Sequence, residues 1–210
     1  MLNTISQFLD WFGICVFALT GALVASRKQM DIVGFALLGC VTGIGGGTVR
    51  DVLLGSLPVF WVQKPAYLMT CVIVACATFF VAHLIHSRQK VLLGCDAVGL
   101  ALFSVTGSEI ALNLGGGTVI AIAMGVATAT FGGIIRDILG GEIPVILRRE
   151  IYVTAALLGA SVFVFGQQLG LAKNPSLVAG FVAALALRAA AIRFDLSLPV
   201  FVYSGKDKET

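Results

Sequence analysis

The chain has 210 residues, 58% of them apolar and 12% charged, with a formal net charge of +3. Soluble domains carry roughly 25% charged residues, so this chain lacks the polar groups that a water-facing surface needs, and its mean hydropathy of +1.00 agrees. The small, scattered basic excess excludes nucleic acid as a partner, which leaves an all-α membrane protein with one transmembrane domain over 1–210 and lipid as its surroundings.

A helix needs about 18–20 apolar residues to cross the hydrocarbon core. Seven runs approach that length, near 8–25, 32–49, 66–85, 91–112, 118–135, 151–168 and 175–192. The first has no basic leader and holds Asp10 and Trp11, which points to a retained span rather than a cleaved signal. Loop punctuation separates the runs: Arg27 and Lys28, Pro58 to Pro65, Ser87 to Lys90, Gly115 to Gly117, Gly140 to Glu150, and Gly170 to Pro175. The tail from Ser204 to Thr210 is polar. With the N-terminus outside, the cytoplasmic segments hold ten basic residues: Arg27, Lys28, Arg88, Lys90, Arg136, Arg148, Arg149, Arg193, Lys206 and Lys208. The outer segments hold three: Arg50, Lys64 and Lys173. The positive-inside rule then predicts a multi-pass protein of the cell (inner) membrane, N-terminus outside and C-terminus cytoplasmic.

A shift of 86 residues lays 10–65 over 96–151 without a gap and gives 17 identities in 56 positions. Asp10, Phe17, Thr20 and Gly21 fall on Asp96, Phe103, Thr106 and Gly107; Gly-Gly-x-x-Arg-Asp-x-Leu-x-Gly-x-x-Pro occurs twice at one spacing. Each unit holds three spans, an odd number, so the second copy enters the membrane from the opposite side. The predicted architecture is two inverted three-helix repeats, about 8–86 and 91–170, plus a seventh helix at about 175–194.

The second span carries Gly39, Gly43 and Gly47 at intervals of four, and the fifth carries Ala121, Gly125, Ala129 and Gly133. That spacing forms a smooth ridge suited to close helix packing. Gly45, Gly46 and Gly47 in succession, matched by Gly132 and Gly133, also admit a second reading. Each glycine costs a helix interior roughly 1 kcal/mol relative to Ala, so such runs invite a hinge whose freed carbonyls face a polar path. Repetition in both halves favours the hinge.

Arg50–Asp51 and Arg136–Asp137 follow the glycines by about one turn. They read either as interfacial pairs snorkelling to headgroups or as charged gates at the two mouths of one pathway. Asp96, Glu109 and Arg188 lie within apolar runs, where a charge needs a partner or a wet cavity. The pairing is open, including which carboxylate meets Arg188.

Cys15, Cys40, Cys71, Cys76 and Cys95 have no zinc-ligand spacing and behave as small hydrophobes. His83 and His86 alone make no metal site. No Lys-Ser/Thr follows the glycine runs as a phosphate loop requires, and no nucleophile elbow is present. The sequence thus predicts no enzyme, no cofactor and no metal.

At GIGGGTVRDVLLGSLP (43–58), ATFGGIIRDILGGEIP (129–144) and the closing LRAAAIRFDLSLP (187–199), the chain resembles the bacterial branch of the trimeric intracellular cation (TRIC) channel family, whose duplicated domain is also labelled a glycine-transporter domain. The resemblance implies a homotrimer of seven-helix protomers, each with its own pore lined largely by kinked second and fifth helices and conducting monovalent cations, chiefly potassium. Carried over by motif, Gly45, Gly46, Gly47, Gly132 and Gly133 would form the kinks, with Arg50 and Arg136 near the pore. The alternative is a small amino-acid (glycine) transporter using the same inverted-repeat site.

Overall fold

The structure, a computed structural model, describes residues 4–85 and 87–199; His86, Lys206 and Lys208 lie outside the described residues. Among the described residues, eight α-helices follow in chain order: α1 (Thr4–Arg27), α2 (Ile32–Leu53), α3 (Phe60–Gln63), α4 (Ala66–Val81), α5 (Arg88–Asn113), α6 (Thr118–Leu139), α7 (Val153–Gln168) and α8 (Lys173–Phe194). Six of them (α1, α2, α4 with its trailing 3-10 turn, α5, α6 and α8) contain stretches long and apolar enough to cross a membrane.

The exception among the long helices is α7. At 16 residues it spans about 24 Å at 1.5 Å per residue, short of the ~30 Å hydrocarbon core. The run expected at 151–168 starts late because its first residues are held elsewhere. Arg188 Nη1 donates to the Ile151 carbonyl at 3.2 Å, and Arg188 Nη2 donates to Glu150 Oε2 at 2.7 Å. Those bonds take Glu150 and Ile151 out of the helix and tie them to α8.

Local chemistry sets the helix ends. Asp31 caps α2, its carboxylate accepting from the Gly34 amide at 2.8 Å. α2 and α6 end on the same motif: Gly55 and Gly141 take left-handed φ values of +67° and +64°. The Ser56 amide then donates to the Asp51 carbonyl and the Glu142 amide to the Asp137 carbonyl, both at 2.8 Å. This is the Schellman arrangement, which a residue with a Cβ disfavours.

Packing repeats as the sequence does. α1, α2, α5 and α6 form the centre; α4 lies against α1 and α2, as α7 lies against α5 and α6, and α8 covers α5 and α7. Pairs of contacts are reciprocal across the 86-residue offset. A Cβ on Gly13 would meet the Phe103 ring at 3.0 Å, and one on Gly99 the Phe17 ring at 2.2 Å. Gly21 faces the Leu38 carbonyl and Gly107 the Met124 carbonyl. Outward, Met69, Ile73 and Phe80 of α4 and Val178 and Val182 of α8 are exposed, the inverse of a soluble globule and suited to lipid.

At one end of the bundle Glu142 lies 3.1 Å from Arg27, 3.7 Å from Lys28 and 3.7 Å from Arg148. All three basic side chains are about a third exposed. Glu142→Gln should therefore cost under about 1 kcal/mol and less at high salt. Melting curves at two ionic strengths check this, and a large salt-independent loss would contradict it.

Candidate functional site: two Arg–Asp stations

α2 and α6 run as uninterrupted helix through Gly45, Gly46, Gly47, Gly132 and Gly133. Both helices are continuous there, and the glycines are points of close approach. A Cβ on Gly46 would lie 2.1 Å from the Thr128 carbonyl oxygen, and one on Gly132 would lie 2.4 Å from that of Thr42. The two helices cross backbone to backbone at these residues. Gly47 makes room for the Phe60 ring and Gly133 for the Tyr152 hydroxyl, at 2.7 and 3.0 Å from the Cβ each lacks. Gly45 faces Ile135 and the Gly132 Cα.

One turn beyond the crossing, each helix presents its Arg–Asp pair inward. Arg50 donates through Nε and Nη2 to Asp51 Oδ1 at 2.9 and 2.7 Å, and Asp51 Oδ2 accepts from the Phe60 amide at 2.8 Å. In the other copy, Arg136 Nε donates to Asp137 Oδ1 at 2.9 Å, and Asp137 Oδ2 accepts from the Val145 amide at 3.0 Å. Each aspartate thus uses one oxygen to orient the guanidinium and the other to tie down the loop after its helix. Both pairs are buried, so neither snorkels to a headgroup.

Around the pairs the two stations differ. Arg136 Nη1 also donates to Asp96 Oδ1 at 2.7 Å and to Thr20 Oγ1 at 3.1 Å. The guanidinium is enclosed at 1% exposure, with Tyr152 close behind. Asp10, the counterpart of Asp96, makes no ion pair with Arg50 among the described residues. Instead Asp10, Arg50, Asp51, Tyr67 and Asn113 line a cavity of about 340 Å³. Trp11 stacks on Tyr67 at 4.1 Å beside it, and Trp61 Nε1 donates to Thr48 Oγ1 at 3.0 Å. One station is open and the other clamped.

Two buried polar atoms at the clamped station, Asp96 Oδ2 and the Tyr152 hydroxyl, have no partner among the described residues, and neither has Thr106 Oγ1, ten residues further along α5. Buried polar groups are ordinarily satisfied. Phe17 and Phe103 meet edge to face at 5.0 Å between the two ends.

The domain model described as a glycine transporter matches twice, over residues 7–83 and 93–168. The crystal structure of a TRIC trimeric intracellular cation channel orthologue from Rhodobacter sphaeroides is 63% identical, covers 92% of this chain and 100% of that one, and superposes with a TM-score of 0.91. The chain belongs to the TRIC channel family. A prokaryotic TRIC channel is 31% identical over 94% of this chain, with a TM-score of 0.87 and 100% of its own length covered. Among curated relatives, a UPF0126 membrane protein of Vibrio cholerae is 43% identical over 95% of this chain and 84% of its own length. The UPF0126 inner membrane protein YadS of Escherichia coli K12 is 42% identical over 92% and 95%.

In this TRIC family member the remaining charges named from sequence make their ion pairs beside the stations rather than within them. Glu109 pairs with Lys173 and accepts from Ser6 Oγ at 2.9 Å, joining α5, α8 and α1 at the end opposite Glu142. Arg188 pairs with Glu150 and lies over the Tyr152 ring at 5.1 Å. Sequence reading missed Thr20 and the two tyrosines. Thr20 was visible as one of the repeated identities. Tyr67 and Tyr152 lie 85 residues apart, not 86, because the second copy has one residue fewer between its proline and its tyrosine.

Proposed function

We propose that the chain is a channel for monovalent cations, potassium among them, with a pore in each protomer of a homotrimer. The observation that carries this reading is the pair of Arg–Asp stations on two crossed helices, one opening on a cavity and the other clamped around partnerless buried oxygens. Asp96 Oδ2 and the Tyr152 hydroxyl are groups that can replace part of a cation's hydration. Asp96 supplies negative charge to attract the ion, and Arg136 holds that carboxylate until the clamp releases. The glycines serve the pathway by letting α2 and α6 cross closely enough for both stations to face it. Flux then depends on breaking the Arg136–Asp96 contact.

Reciprocal contacts at an 86-residue offset support two inverted three-helix repeats, with α8 as the seventh span. Grouping Arg27, Lys28 and Arg148 at one end and Lys173 at the other supports N-out, C-in insertion. The inner-membrane name of the Escherichia coli relative fits the cell membrane as location. A cysteine at position 28 should react only with reagent inside the cell, and one at 173 only outside; the reverse pattern would invert the assignment.

The same cavity supports a second reading. Asp10 and Arg50 line it with opposite charges, a pattern that suits a zwitterion such as glycine, the substrate named by the domain model. Purified protein in liposomes separates the two. A channel passes potassium without saturable glycine uptake, whereas labelled glycine accumulation without potassium flux would favour the carrier.

A further inference from the structure

The clamped station holds two buried polar atoms of opposite character that bond to nothing. Asp96 uses Oδ1 to accept from Arg136 Nη1 at 2.7 Å, and its Oδ2 is left without a partner among the described residues. The Tyr152 hydroxyl, which can donate, is without one as well. Asp96 and Tyr152 are buried, at 1% and 2% exposure. The place that a Cβ on Gly133 would take lies 3.0 Å from the Tyr152 hydroxyl, 3.6 Å from Arg136 Nη2 and 3.9 Å from Asp96 Oδ1. All three groups therefore border one small space that the glycine leaves free. An unmet donor and an unmet acceptor away from water are costly, and a short turn of the carboxylate would satisfy both.

The other station shows where such a turn ends. Asp10 is the counterpart of Asp96, and Tyr67 that of Tyr152. There Asp10 has the Tyr67 hydroxyl as its hydrogen-bonding partner and makes no ion pair with Arg50 among the described residues. Arg50 keeps Asp51, as Arg136 keeps Asp137. One motif thus occurs with its aspartate on the arginine and, inverted, with its aspartate on the tyrosine. Tyr152 is also held in place for the exchange. The Arg188 guanidinium lies over its ring at 5.1 Å and binds Glu150 and the Ile151 carbonyl just before it.

We propose that Tyr152 is the positioning residue that draws Asp96 off Arg136 when the clamped station opens. The aspartate exchanges a guanidinium for a phenol hydroxyl, the arrangement Asp10 already has at the other end. Asp137 stays on Arg136, so the guanidinium keeps a countercharge throughout. The phenol satisfies a carboxylate oxygen without neutralising it, so the opened station offers its negative charge to a cation. This inference rests on the channel reading, in which flux depends on breaking the Arg136–Asp96 contact.

The test measures potassium flux into liposomes and thermal melts of the full chain for the parent, Tyr152→Phe, Asp96→Asn and the double variant. Phenylalanine keeps the ring under Arg188 and removes only the hydroxyl. Flux through Tyr152→Phe should fall about tenfold, the change in open population that loss of one hydrogen bond to a charged group produces. Its melt should stay level or rise, since the hydroxyl has no partner while the station is clamped. With Asp96→Asn already weakening the clamp, adding Tyr152→Phe should change flux by under about twofold. Parent-like flux through Tyr152→Phe would overturn the inference. So would an equal loss in the Asp96→Asn background, or a clearly lower melt for Tyr152→Phe, which would mark the hydroxyl as part of the packing. A parent that passes no potassium would instead take the channel reading and this inference down together.

Discussion

Gly46→Leu combined with Gly132→Leu is expected to destroy the folded bundle rather than merely stop transport. At both positions the added Cβ would fall on main chain, 2.1 Å from the Thr128 carbonyl oxygen and 2.4 Å from that of Thr42. A side chain in the way can rotate, but a carbonyl moves only with its helix. Overpacking a core typically costs about 1–3 kcal/mol, and two sites facing backbone across one crossing should reach or pass the top of that range. Even Gly46→Ala should lower the melting temperature clearly. Gly94→Ala provides the contrast: its Cβ meets nothing, and alanine is better than glycine in a helix by roughly 1 kcal/mol, so its melt should hold or rise. Thermal melts and oligomer size on the same preparations decide the matter. If Gly46→Ala melts like the parent, the close crossing is wrong. An intact double mutant that has lost only flux would restore the hinge.

Arg136→Ala should cost far more stability than Arg50→Ala, although the two residues occupy one motif. Removing Arg136 leaves Asp96 and Asp137, 1% and 3% exposed, without their countercharge. Breaking a buried pair by deleting one partner costs about 3–5 kcal/mol, because a desolvated charge is left behind. Arg50 and Asp51 border the 340 Å³ cavity, and Asp51 keeps the Phe60 amide when the guanidinium is gone. Water in that cavity can take over part of the lost solvation, so the loss there should be smaller. Denaturation of both variants in the same detergent measures the difference, and equal losses would remove the distinction between open and clamped stations. Asp96→Asn tests its functional meaning more gently. It keeps a hydrogen-bonding group beside Arg136, which Asp137 still pairs, while weakening the clamp. Potassium flux into liposomes should rise; a fall would mean that the Asp96 charge matters more for attracting the ion than for closing the path.

Much of this molecule can be read from its sequence because the deciding interactions are local or repeated. Helix lengths follow from the apolar runs. The ends of α2 and α6 follow from Gly55 and Gly141, each four residues beyond an Arg-Asp aspartate. The aspartate beside each arginine is its neighbour in the chain, so those pairs are visible without a fold. The successive glycines Gly45 to Gly47 and Gly132 to Gly133, by contrast, admit both close packing and a hinge, and their repetition favours the hinge. Only the position of another helix's carbonyl tells them apart, and here it lies where the Cβ would be. Arg136 is likewise joined to Asp96 across 40 residues and to Thr20 across 116, contacts that no local pattern encodes. The open and clamped stations share one motif, so their difference also comes from tertiary structure. Electrostatic pairing in a membrane is set by which charges packing brings together away from water, and that is decided when the helices meet.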